Sequence, residues 1–381
     1  MVAKLAVRET RESGPILMVD LTAQRQRIAA GVEKGIAAIL DHGQFILGPE
    51  VTVLERKLEA FSGAKHCITC ANGTDALELV LMAEGIGRGD AVFVPTFTFV
   101  ATAEVVALTG ATPVFIDVNR ESFNLDPASL EDAIAVAKAK GLTPKAVITV
   151  DLFGQPVDYE AIGAIAEVHG LLVIADAAQS FGASRGGKKV GSLAPYTATS
   201  FYPSKPLGGY GDGGAIFAFD DAKAELLRVL RGHGKDEHGF SHVGRNSRLD
   251  SFQAAILLQK LTLLAEEIEM RNAVAQAYAD ALGDAVVTPR IAPGSQSAWA
   301  QYTIVSEKRD AIVSACRGAN IHTAIHYTAP LHVQGAYRDY PVPAAGLPNA
   351  EWLSKRVVSL PMHPYLPPDA IDLIARTVVA A

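Results

Sequence analysis

The chain has 381 residues, of which 49% are hydrophobic and 20% charged: enough apolar material for one or two substantial cores, and too little charge for a disordered protein. Thirty-four Lys and Arg against 41 Asp and Glu leave a net charge of −7, which excludes an overall basic field for a nucleic-acid backbone or an anionic membrane. No apolar run approaches the roughly 18 residues needed to span a bilayer, and the opening MVAKLAVRETRESG is unlike a signal peptide, so the reading is a cytoplasmic protein with no membrane partner.

Residues 1–17 read as a polar tail, disordered or added ahead of the natural start, and a large α/β domain follows over 18–250. From about residue 66, short apolar runs alternate with amphipathic segments: HCITCA, TDALELVLMAEGIG, AVFVPTFTF, ATAEVVALTG and TPVFIDV, then a helix opened by Asp126 and Pro127. This βα repetition predicts a mixed, mostly parallel central sheet flanked by helices. It continues through AVITVDLFG, DYEAIGAIAEVHG and LLVIADAA, while TATSFYP and GAIFAFD are too close together for a crossover helix. After a Gly/His-rich stretch, the long amphipathic pattern from Ser251 to Leu282 leads into a smaller C-terminal α+β domain over 251–381.

Three cysteines cannot form a disulfide framework, and Cys67-x-x-Cys70 lacks the second pair that a zinc site needs. The pair also lies in an apolar strand-like run rather than at a helix start, so buried structural thiols are expected. His233, His238, His242 and His326 have no metal-ligand spacing; the first three read as solvated loop residues, and no metal is expected.

Three places carry chemistry. Ala71-Asn72-Gly73-Thr74-Asp75 lies between a strand and a helix, where free N–H groups and the helix dipole form an anion site, although such turns are also ordinary in α/β proteins. It is neither G-x-G-x-x-G nor a Walker loop, which argues against a dinucleotide site. Asp176 follows LLVIA at the carboxyl end of a buried strand, where ligands gather; the alternative is an N-cap, but the Gly-rich AAQSFGASRGG makes a poor helix. Lys205 sits among aromatic, glycine and proline residues, either snorkelling to solvent or desolvated into a neutral, nucleophilic amine. A phosphate cradle, a strand-end carboxylate and a desolvated lysine are together the handles of pyridoxal 5'-phosphate: an anchor, a partner for the ring nitrogen and a covalent tether.

From Met18-Val19-Asp20-Leu21 to Ser359-Leu360-Pro361-Met362-His363-Pro364 the sequence resembles the DegT/DnrJ/EryC1/StrS family of pyridoxal-phosphate-dependent sugar aminotransferases. The motifs run in order: FILGPEV, CANGTDAL, PTFTFVATAE, DAAQSFGA, TSFYPSKPLGGYGDGGAI, GRNSRLDSFQAAIL and HYTAPLH. The resemblance implies the type I aminotransferase fold and a homodimer with shared active sites. By matching motif, Lys205 is the tethering lysine and catalytic acid/base, Asp176 the ring-nitrogen partner, and Gln179 the hydrogen-bond partner of the cofactor hydroxyl. Gly73, Thr74 and Ser200 match phosphate-binding positions, Phe99 the residue stacked on the ring, and Asn246 the asparagine that reaches the partner subunit's phosphate. Some relatives replace the lysine with histidine and are dehydratases; retention of Lys205 favours transamination.

Within the family the motifs look closest to the branch that aminates UDP-linked 3-keto hexuronic acids, which make amino sugars for bacterial polysaccharides such as O-antigen. L-Glutamate and a nucleotide-linked keto sugar are then the substrates. Arg248 offers a planar clamp for the C6 carboxylate, the alternative being a surface ion pair, and His326 and Tyr327 resemble a substrate-contacting pair. Other nucleotide-linked keto sugars, a sugar dehydratase and a ligand-sensing regulator are the competing readings.

Overall fold

The computed structural model describes residues 14–381, so the expected tail lies outside the described residues over 1–13. Residues 14–17 belong to the fold: the Ile16 N–H donates to Asn320 O at 3.0 Å, and His322 N–H donates to Ile16 O at 2.9 Å. Apolar Ile16 and Leu17 after a polar leader mark that change.

Helix α1 (Leu21–His42) begins where Asp20 accepts hydrogen bonds from the Thr22 and Ala23 N–H groups, and ends at Gly43 in the left-handed region. Helix α2 (Pro49–Ser62) starts with proline at its first position, where no N–H is needed. The alternating runs then form strands β1 (His66–Cys70), β2 (Asp90–Pro95), β3 (Thr112–Ile116), β4 (Thr143–Val150), β5 (Leu172–Asp176), β6 (Tyr196–Ser200) and β7 (Gly214–Ala218). Between them lie helices α3 (Gly73–Ala83), α4 (Ala101–Leu108), α5 (Pro127–Ala139) and α6 (Tyr159–His169), with α7 (Asp221–Leu230) after β7. As the sequence predicts, Asp126 caps α5 ahead of Pro127.

The seven strands order as β1-β7-β6-β5-β4-β2-β3. Neighbours from β6 to β3 pair parallel, while β7 runs antiparallel to both β1 and β6. The short β6–β7 connection requires that reversal, because a parallel return needs a crossover. Both faces are covered, so the strands are nearly continuous apolar runs. Val92 and Val94 pack with α3, α4 and α7, whereas Ala91 and Phe93 pack with α5 and α6. The same period of two separates the cysteines: Cys67 faces the α2 side and Cys70 the opposite one, so the two cannot meet. Burial pushes the Cys70 thiol up to about 12, which suits an inert buried thiol.

Helix α8 (Ser251–Leu282) has 32 residues, about 48 Å of continuous helix. Ala254, Leu257, Leu264 and Ile268 join the core beneath β7, whereas Val274, Tyr278 and Leu282 join a second core. That core is built on the antiparallel pair β8 (Tyr302–Val305) and β9 (Val357–Leu360). Helices α9 (Arg309–Gly318) and α11 (Pro368–Ala380) cover it, and α10 (Pro348–Ser354) precedes β9.

His363 follows β9 and is buried, its Nδ1 without a hydrogen-bond partner among the described residues. Burial first, and then the Arg271 charge, push its imidazole down from 6.5 to about 4. A base whose folded value is depressed contributes stability above its unfolded value, and that contribution is lost as pH falls through the window between the two. Asp151, pushed up from 3.8 to about 7 chiefly by burial, acts with the opposite sign: its contribution is present below 3.8 and lost as pH rises to about 7. A difference measurement therefore isolates the histidine. Urea unfolding of the wild type and of His363→Leu should show the gap between them narrowing at the wild type's expense by roughly 3 kcal/mol as pH falls from about 7.5 to 4. A gap independent of pH would rule out a histidine held neutral.

Candidate active site

The carboxyl ends of β2, β4, β5 and β6 meet at one edge of the sheet, the edge where open α/β sheets collect ligands. Asp176 is the last residue of β5 and is buried. Its Oδ2 accepts from Thr102 Oγ1 at 2.9 Å and its Oδ1 from the Ala178 N–H at 3.2 Å. Burial raises its pKa, while the Ala178 N–H, the Thr102 hydroxyl and the Lys205 charge lower it. Burial outweighs these three partners, so the Asp176 carboxyl is held above the usual carboxylate value, and the partners limit that rise.

Lys205 lies in the loop between β6 and β7, its N–H bonded to Tyr202 O at 2.9 Å. The loop closes tightly because position 208 is glycine: a Cβ there would come within 2.4 Å of Pro203 O and 2.6 Å of Tyr202 O. Burial lowers the affinity of the Lys205 amine for its proton, and Asp176 opposes that only in part. The two charges sense one another, yet no direct salt bridge joins them among the described residues.

Gly73 opens α3 behind the cap Asn72, whose Oδ1 accepts from the Asp75 N–H at 2.8 Å. The Gly73 and Thr74 N–H groups precede the first intrahelical bond and have no partner among the described residues. Ser200, at the end of β6, stands against Gly73: a Cβ there would come within 2.8 Å of Ser200 Cβ. Gly214 crosses the same turn, where a Cβ would lie 2.4 Å from Asn72 O. Two free N–H groups, two hydroxyls and a helix N-terminus thus share a space that side chains at 73 or 214 would fill.

The Gln179 Oε1 accepts from the Phe153 N–H at 2.6 Å, which leaves its amide NH2 to donate. Gln179 lies near enough to the Tyr327 hydroxyl to lower its pKa, and Phe97 meets the Tyr327 ring edge-on at 5.9 Å. His326 Nδ1 lies 3.0 Å from Ser359 Oγ, and the Lys205 charge reaches the imidazole. The structure therefore gathers Asp176, Lys205, Gln179, His326 and Tyr327, with Gly73, Thr74 and Ser200 at the adjoining turn. Phe99, in the loop from β2 to α4, is 58% exposed, an unusual setting for phenylalanine, and its carbonyl accepts from the N–H of Thr102.

Asn246 and Arg248 stand apart. Neither bonds to this cluster among the described residues; Asn246 is exposed and its Oδ1 accepts from Arg248 Nη2 at 2.6 Å. Arg248 Nε is buried and has no hydrogen-bond partner among the described residues. His233, His238 and His242 are exposed, and no group of three or more His, Cys, Asp or Glu side chains is placed to hold a metal among the described residues.

Thr102 and Asp151 are the residues that sequence reasoning passes over. Asp151 follows β4 as Asp176 ends β5, and its N–H donates to Asp176 O at 3.1 Å. Its carboxylate accepts from the Val157 N–H, Tyr159 OH and Ser180 Oγ at 2.7 to 2.9 Å, buttressing the turn behind Asp176. The strand-end rule that singled out Asp176 would have found it; nothing in the sequence distinguishes Thr102 from its neighbouring threonines.

The profile of the DegT/DnrJ/EryC1/StrS aminotransferase family matches residues 26–379. A UDP-2-acetamido-2-deoxy-3-oxo-D-glucuronate aminotransferase of Pseudomonas aeruginosa is 49% identical, over 94% of this chain and 98% of the relative. Among solved structures, a DegT DnrJ EryC1 StrS aminotransferase from Brucella abortus superposes with a TM-score of 0.94 at 50% identity, covering 95% of this chain and 98% of that one. S. venezuelae DesV, solved in complex with a ketimine intermediate, superposes at 0.91 and 35% identity, covering 97% and 98%. Family members depend on pyridoxal phosphate, and the cradle at Gly73 together with the buried, coupled Lys205 and Asp176 fits that group. The chain belongs to the DegT/DnrJ/EryC1/StrS aminotransferase family and is a pyridoxal-phosphate-dependent aminotransferase with the type I fold.

Proposed function

We propose that the protein moves the amino group of L-glutamate to the keto carbon of a UDP-linked 3-keto hexuronic acid, the kind of substrate named for the P. aeruginosa relative. The observation that carries the chemistry is the buried Lys205 amine, close enough to Asp176 for the two charges to sense one another. The substrate rests on the 49% identity and on Arg248.

Pyridoxal phosphate, when bound, supplies an electron sink that stabilises the charge left when a Cα proton departs. The Gly73 and Thr74 N–H groups and the Thr74 and Ser200 hydroxyls would bind its phosphate, Phe99 would cover its ring, and the Gln179 amide would meet its hydroxyl. Asp176, whose carboxyl accepts from Thr102 and Ala178, would keep the ring nitrogen protonated. Lys205 Nζ, whose burial eases the loss of its own proton, takes the proton from Cα of glutamate; water supplies the keto oxygen of the departing 2-oxoglutarate, and the amino group stays behind in the site. In the second half-reaction Lys205 works in reverse, and the C3 carbon of the sugar gains the amine and a proton.

Arg248 serves the carboxylates of both substrates in turn. Its buried, unpartnered Nε–H is a donor that an incoming carboxylate would satisfy, a stronger bond than any between neutral groups. Asn246, exposed on the loop that precedes α8, reaches the phosphate of a second subunit, so the working unit is a homodimer. His326 and Tyr327 contact the sugar. The large and small domains divide near residue 250, along α8. No helix is long and apolar enough to cross a membrane among the described residues, and the reading is a cytoplasmic enzyme whose product enters polysaccharide such as O-antigen.

Incubation with L-glutamate and UDP-linked 3-keto hexuronate should yield 2-oxoglutarate and an amino sugar nucleotide in equal amounts by mass spectrometry. Loss of sugar without consumption of glutamate would point to a dehydratase instead. Lys205→Ala should lower turnover by at least about 10³-fold, since covalent tether and proton carrier vanish together; turnover within tenfold of wild type would remove Lys205 from the mechanism. Arg248→Lys should raise KM for both substrates by about fivefold or more. If neither KM moves, Arg248 is no clamp.

A further inference from the structure

In the C-terminal unit Thr303 of β8 registers opposite Ser359 of β9, and Ala324 pairs with Ser359 from the other side. Directly paired residues share a sheet face, and a residue two positions further along returns to it. His326 accordingly lands on the face that carries Ser359 and Thr303. There Ser359 Oγ is 3.0 Å from His326 Nδ1 and 2.9 Å from Thr303 Oγ1. Both hydroxyls belong to fully buried residues.

Each hydroxyl has one hydrogen to give, and the order in which the three groups donate fixes where the imidazole proton sits. If Nδ1 carried the proton it would donate to Ser359, Ser359 would donate to Thr303, and the Thr303 hydrogen would find no acceptor among the described residues. In the reverse order Thr303 donates to Ser359 and Ser359 donates to the Nδ1 lone pair; both hydrogens are then used. A buried donor left unmade is the costly outcome, so the second order prevails.

We infer that Thr303 and Ser359 are positioning residues that hold His326 as the Nε2–H tautomer, so that its free nitrogen offers a hydrogen-bond donor beside Lys205. Burial and the Lys205 charge both lower the affinity of the imidazole for a second proton, so one ring proton remains to be placed. A fixed donor requires an acceptor opposite it, which a ketone or carboxylate oxygen supplies, and turns away a group that can only donate. The role of that donor rests on the reading that His326 faces the sugar; the tautomer does not.

Neutron diffraction from crystals of the holoenzyme tests the tautomer directly. We expect a deuteron on His326 Nε2, none on Nδ1, and the Ser359 deuteron aimed at Nδ1. A deuteron on Nδ1 would overturn the inference, whichever sugar is the substrate. Kinetically, Ser359→Ala frees the ring to exchange tautomers and should raise KM for the keto sugar by about fivefold with a smaller change in kcat. Ser359→Thr, which keeps the hydroxyl, should restore it. Equal losses in the two variants would make Ser359 a packing residue and defeat the positioning role.

Discussion

A carboxylate at the end of a buried strand is the constraint on which the site depends. Asp176 leaves β5 with little solvent around it, and a charge in that position survives only if donors replace the lost water. They come from separate parts of the chain: a hydroxyl from the first turn of α4, an N–H from the turn after β5, and the Lys205 charge from the loop after β6. Each of those elements sits where the parallel order of β2, β4, β5 and β6 brings its carboxyl end to the same edge. Sheet topology and site electrostatics are therefore one arrangement.

Close backbone approach is the second requirement. The turn into α3, the end of β6 and the start of β7 converge so tightly that a single Cβ at 73 or 214 would collide with the chain opposite. The antiparallel turn of β7 back along β6 and β1 produces this convergence, bringing Gly214 beside Asn72. A fold with a crossover between β6 and β7 would place the Lys205 loop elsewhere. The second core adds the remaining wall: α8 runs through both cores, and β9 presents Ser359 to His326.

Much of the fold was legible because parallel strands buried on both faces leave a coarse signal. Apolar runs such as LLVIA and AVITV, separated by capped amphipathic helices, mark the element order with little ambiguity. The closeness of TATSFYP and GAIFAFD even revealed the antiparallel pair. The N-terminal boundary was harder. Ile16 and Leu17 are too short a run to declare a strand, and their bridge to Ile321 depends on a partner some 300 residues away. The extended reading of AVFVPTFTF likewise stops at Pro95, and Phe99 lies in a loop that hydrophobicity alone does not separate from strand.

By itself the sequence determined the order of strands and helices, the mixed sheet, the family, and the residue types at the ends of β5 and β6, because burial periodicity and dense local motifs are properties of neighbouring residues. Only the tertiary structure decided which of those residues meet. Thr102 became a partner of Asp176, Asp151 a buttress, and Thr303 and Ser359 a chain of hydroxyls behind His326, through contacts between residues 29 to 74 positions apart. Asn246 and Arg248 show the same limit from the other side: their motif is plain in the sequence, yet within one chain they pair with each other instead of with the cluster. Hydrogen bonds select by distance and direction, and neither is written along the chain until packing closes it.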